Sequence, residues 1–157
     1  MTPQQTPSSS SHREGAGSAT SADDYGRLLL RIVLGGVLFA HGLQKFAVSG
    51  VDGVGQFFAS LGIPAPEAAA VLVATLELVG GILIVIGALV RPVAVLAAIE
   101  LTVAAFTAHA GAGFYADAGG WELPVLLGGS LLALAVLGAG RFVVVAPVSA
   151  RIPALLR

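Results

Sequence analysis

The stretch from Leu28 to Phe46 constrains the rest of the chain most tightly. It is long and apolar enough to cross a bilayer, yet it contains Arg31, His41, Gln44 and Lys45. At a helical rise of ~1.5 Å it spans ~28 Å, about the thickness of the hydrocarbon layer. A charge near the bilayer centre costs about 2.5–3.5 kcal/mol on insertion scales, so a plain anchor has no reason to carry these groups. His41 and Lys45, four positions apart, share a helix face, and Arg31 falls within about 40° of Lys45 on the helical wheel. Such a stripe needs a protein interior, and later segments must supply it.

The other segments are suited to that. Of 157 residues, 56% are hydrophobic and 11% charged, which points to one polytopic membrane domain. The net charge of -1 and the scattered basic residues exclude a nucleic-acid surface. With no cysteine, the chain cannot form disulfides, Cys-ligated metal clusters or dithiol relays, so redox chemistry here has to be borrowed. No intrinsic cofactor or metal is expected.

Residues 1–24 are rich in Ser, Thr, Pro, Gly and Gln and read as a disordered tail. The tail and first apolar run are not read as a cleaved signal peptide, because no small-residue cleavage site follows the run. Ser21, Asp23 or Asp24 caps the first helix. Residues 47–66 hold a short apolar stretch with Phe57 and Phe58, expected to be an interfacial half-helix. A second span, Ala68 to Val90, has Glu67 in its first turn and Glu77 ~15 Å deep, on a face shared with Ala70, Gly80 and Gly81. Arg91-Pro92 marks a tight turn into a third span, Pro92 to Ala110, with Glu100 near its middle. His109, nine residues after Glu100, points the opposite way in an ideal helix, so it faces the interior only if the helix loosens.

The aromatic and glycine-rich stretch from 110 to 121 suits an interface. A fourth span, Leu123 to Gly140, has Glu122 at its mouth, and Glu122, Gly129, Ala133 and Gly140 form one stripe, expected to be a packing face. Residues 25–145 thus form an all-α antiparallel four-helix transmembrane bundle, and residues 146–157 a basic surface segment. Six arginines lie outside the spans on one side, which places both termini in the cytoplasm of a bacterial inner membrane.

Depth brings the polar groups together. His41, Gln44, Lys45, His109 and Glu122 lie toward one end of the bundle, Glu77 and Glu100 beneath them, and Arg31 toward the other end. The expected result is a polar cavity with a carboxylate floor, in which Glu77, His41 and Lys45 handle protons and Arg31, Gln44, Glu100, His109 and Glu122 line the walls. Blander roles compete. Lys45 and Arg31 are long enough to snorkel to the interfaces, His109 suits a structural hydrogen bond, and Glu67 and Glu122 suit helix N-termini. Two histidines on different helices raise haem ligation, but the azimuth of His109 and the absence of a second pair argue against it.

The order Arg31-x3-Gly35-x3-Phe39-x-His41-Gly42-x2-Lys45, Gly62-Ile63-Pro64, Glu77-x2-Gly80-Gly81-x5-Gly87, Arg91, Glu122 and Gly138-x-Gly140-Arg141 resembles the DoxX family of small bacterial four-helix membrane proteins. That resemblance implies a membrane subunit of a redox assembly, either of a thiosulfate:quinone oxidoreductase or of an oxidative-stress complex with superoxide dismutase and a sulfurtransferase. It carries over to Arg31, His41, Lys45, Glu77 and Glu122; Glu100 matches no position of that pattern. The expected ligand is a quinone headgroup, with His41 or Lys45 on its carbonyl and Glu77 exchanging the proton. Two readings stand beside it: a proton-coupled small-molecule carrier working as a homo-oligomer, and a scaffold that recruits soluble redox enzymes.

Overall fold

The computed structural model describes residues 21–144, and all regular structure among them is helical. The expected tail up to residue 20 and the segment beyond 144 lie outside the described residues. Helix α1 runs Ala22–Ala47, α2 Val51–Ser60, α3 Pro66–Ile86, α4 Val90–Ala104 and α5 Glu122–Leu137. Helix α1 starts before the expected boundary at 24, because Ser21 serves as N-cap and Asp24 reaches back to its backbone N–H (3.4 Å).

Among the described residues, three helices are long and apolar enough to cross a membrane: α1 with 26 residues, α3 with 21, and α4 with its continuation to Ala112, 23 residues. Helix α5 has 16 residues, ~24 Å, slightly short of a full span. It stops before the expected Gly140 because Gly138 leaves the helix at a φ of 75°. The chain then returns along the end of α3, where the Val144 N–H donates to the Ile86 carbonyl (3.0 Å).

Helices α1 and α3 pack antiparallel with almost no space between their backbones. A Cβ on Gly35 would lie 2.7 Å from the Gly81 carbonyl oxygen, one on Gly81 would lie 2.6 Å from the Phe39 nitrogen, and one on Gly42 would strike the backbone of Leu78. Without a hydrophobic drive between helices in lipid, this close van der Waals approach is one of the forces that hold them together. The buried face of α3 is Ala70, Ala74, Glu77, Gly80, Gly81 and Ile84, so Glu77 looks into the bundle as its small neighbours implied. Gly87, at φ 85°, closes α3, and the N–H groups of Gly87 and Ala88 both donate to the Leu83 carbonyl. Helix α4 follows three residues later, with Arg91 and Pro92 in its first turn.

Helix α5 packs on α4 through Gly128, whose added Cβ would meet the Ala98 carbonyl and Leu101 at ordinary contact distance. Its buried residues are Pro124, Gly128, Leu131 and Leu134. The stripe expected to pack, Gly129 and Ala133, is instead exposed, with open space beside Gly129. Helix α2 is a short helix against the start of α3, where Gly55 abuts Glu67.

Candidate functional site

The fold separates the polar residues of α1 into two groups with different surroundings. Arg31 has no exposed surface. Its Nε donates to the Ile84 carbonyl (2.9 Å), Nη2 to Val85 (2.6 Å), and Nη1 to Ala139 (2.8 Å) and Phe142. A helix leaves its last four carbonyls without partners and carries partial negative charge there. Arg31 therefore pins the end of α3 and the segment after α5 onto α1, and Gly87 leaves the room for it, since a Cβ there would sit 2.7 Å from Nη2. Neither expected role for Arg31 holds: it does not line the cavity, and it does not snorkel.

At the other end of α1, Lys45 turns inward. Its Nζ donates to both oxygens of Glu77, at 2.8 and 2.6 Å, and the Glu77 side chain is only 5% exposed. The Glu100 carboxyl, from the facing side of α4, lies near enough to interact with both Glu77 and Lys45. Its Oε2 is buried without a hydrogen-bond partner. One ammonium thus faces two carboxyls. The match in depth follows from the antiparallel turn: Glu77 is nine residues before the end of α3 and Glu100 ten after the start of α4, ~14 and ~15 Å from the turn.

Above this cluster lies a cavity of about 510 Å³, within the ~300–1,000 Å³ of small-molecule sites. Lys45, Glu77, Glu100, His41 and His109 line it, and most of the remaining wall is apolar. His109 reaches it because α4 does loosen: residues Ala105–His109 make one π turn. An inserted residue is worth ~100° of rotation, which brings His109 from ~180° to ~80° of Glu100. Its Nδ1 lies 2.7 Å from the Gly119 carbonyl oxygen, which only accepts, so Nδ1 is the donor in that bond.

Two expected wall residues lie elsewhere. Gln44 is exposed and does not line the cavity. Glu122 accepts from the Ala116 N–H (3.0 Å) and ties down the loop between α4 and α5, where the Trp121 and Glu122 N–H groups also bond back to Gly113 and Phe114. Its position at a helix mouth suggested an entrance, but its carboxylate is occupied by backbone. Sequence reasoning missed the roof of the cavity, made by Phe57, Phe58, Leu61 and Ile63 from α2 and the turn after it. The adjacent phenylalanines in a helix too short to span were the available signal.

Fold and site together define a helical membrane protein with a lysine–carboxylate cluster beneath an apolar cavity between its helices. The chain belongs to the DoxX family, whose model matches residues 26–110, from the first helix to the end of the π turn. It is 39% identical over 124 residues to the Bacillus subtilis (strain 168) protein named "Putative oxidoreductase CatD", covering 79% of this chain and 87% of that one. It is 34% identical over 119 residues to the "Inner membrane protein YphA" of Escherichia coli (strain K12), covering 72% of this chain and 83% of the other. No solved structure matches it.

Proposed function

We propose that this chain is a membrane subunit of a redox assembly, and that its cavity takes a quinone headgroup and exchanges protons with it. The observation that carries the reading is the placement of the Lys45–Glu77–Glu100 cluster at the floor of an apolar cavity of about 510 Å³. Reducing a quinone to a quinol takes two electrons and two protons. The electrons come from a partner redox protein, and the protons are what this chain's residues can supply. His109 suits one quinone oxygen and His41 the other; one proton comes from the Glu77–Glu100 pair and the second is relayed from water through the exposed His41. Lys45 is committed to Glu77, so it positions the carboxylates and does not bind the carbonyl itself. The name of the B. subtilis relative favours the redox class, and that of the E. coli relative an inner-membrane location. The arginine distribution favours cytoplasmic termini.

Trp121 is the single tryptophan and sits in the loop beside the cavity, so it serves as the reporter. Titrating the detergent-purified protein with a short-chain quinone is expected to quench it saturably, about tenfold more weakly in His41→Ala and Glu100→Gln. Absence of saturable quenching in the folded wild type would overturn the quinone reading.

A further inference from the structure

The cavity has a side opening as well as a roof. Helices α3 and α4 touch closely near the turn that joins them, where an added Cβ on Gly80 would lie 2.9 Å from Val93. On its other side α3 is drawn toward α1 by the Gly81–Phe39 and Gly42–Leu78 contacts, and α4 is drawn toward α5 by Gly128. The residues of α3 and α4 that line the cavity there are also open on their outer side: Leu72 is 70% exposed and Ile99 56%, with Leu96 and Val103 similarly open. In a membrane that outer side faces acyl chains. The opposite entrance, toward the helix end that carries α2, is roofed by Phe57, Phe58, Leu61 and Ile63.

We infer that the cavity is filled from within the bilayer through the gap between α3 and α4, so that its occupant is a membrane-dissolved amphiphile whose tail lies in that gap and whose polar head meets Glu100. Glu100 stands on α4 one position after Ile99 at the rim, and its Oε2 is a buried oxygen with no partner in the protein. An oxygen of this kind costs free energy until a ligand atom satisfies it, so it marks where the polar head stops. The wall between rim and floor is apolar, which admits a tail and offers a hydrophilic solute nothing to bind. This rests on the reading of the cavity as a headgroup site, and it adds the route and the residue that reads the head.

The test uses the full chain in nanodiscs of phosphatidylethanolamine and phosphatidylglycerol. Two photoactivatable quinone probes, one with an isoprenoid tail and one without, are cross-linked and mapped by mass spectrometry. The tailed probe is expected to label α3 and α4 peptides that include Leu72, Ile99 and Val103. Ile99→Trp, which fills the rim, is expected to slow that labelling about fivefold or more while leaving the tail-less probe within about twofold. Glu100→Leu is expected to weaken labelling by the tailed probe about tenfold. Labelling of the tailed probe confined to Phe57–Ile63 or to the loop at 110–121, unaffected by Ile99→Trp, would overturn entry from the bilayer while leaving the cavity reading intact. No competable labelling of cavity residues by either probe would overturn both.

Discussion

Removing the guanidinium of Arg31 is expected to loosen the whole bundle and to leave the cavity chemistry untouched. Arg31→Met keeps much of the side-chain volume but deletes four hydrogen bonds, to the carbonyls of Ile84, Val85, Ala139 and Phe142. Each bond from a charged donor is worth ~1.5–3 kcal/mol net, so a simple sum would be about 6–12 kcal/mol. Methionine also removes the cost of burying the charge, several kcal/mol, so the expected loss is about 3–5 kcal/mol. For a fold of this size, each kcal/mol moves the melting temperature by roughly 3 °C, giving a fall of about 10–15 °C. Arg31→Lys keeps the charge but not the fork, and is expected to lose about half as much. The assay is thermal unfolding in detergent, followed by Trp121 fluorescence and by monodispersity on size exclusion. Quinone affinity of the variant, measured where it is folded, is expected within about twofold of wild type. A melting temperature for Arg31→Met within about 2 °C of wild type would refute the pinning role.

Other perturbations have equally definite outcomes. Lys45→Met leaves two neighbouring carboxyls without their cation and is expected to destabilise by about 3–5 kcal/mol, whereas Glu77→Gln lets Lys45 turn to Glu100 and is expected to cost less than half of that; denaturant titration in detergent ranks them. If both variants lose the same amount, Glu100 is not in reach of Lys45. Gly42→Ala drives a methyl group into the backbone of Leu78 and is expected to cost about 1–3 kcal/mol, while Gly129→Ala, which meets open space, is expected to be neutral or stabilising by about 0.5–1 kcal/mol; melting temperatures decide. Glu122→Gln preserves an acceptor for the Ala116 N–H and is expected to keep loop protection from hydrogen exchange, which Glu122→Leu loses. Neither change is expected to move quinone affinity by more than about threefold.

What the sequence disclosed depended on whether the signal lay in side chains. Glu77 was legible because its small neighbours Ala70, Gly80 and Gly81 marked the face on which α1 packs. The face of α5 was not, since a helix in lipid is apolar on all sides, and Gly129 and Ala133 outside look the same as Gly128 inside. Arg31 was legible as a buried charge needing partners, but those partners are four backbone carbonyls, which leave no mark in the sequence. His109 presented a conflict of azimuth that only the π turn at Ala105–His109 resolves. Gln44 and Glu122 were polar at the right depth, and depth alone does not fix direction.

Arg31 also sets an order of events during synthesis. Its residue leaves the ribosome 108 positions ahead of Ala139, one of the carbonyls it holds. At about 5–20 residues added per second, the cation waits roughly 5–20 s for the segment after α5 to arrive. During the first half of that interval α1 carries a membrane-depth charge with none of its acceptors, and after α3 arrives it has only Ile84 and Val85, so the first helix must be sheltered by the insertion machinery or held near the interface. The segment that follows α5 therefore closes the bundle, and a nascent protein stopped before it would present an unfinished first helix to the cell's quality control.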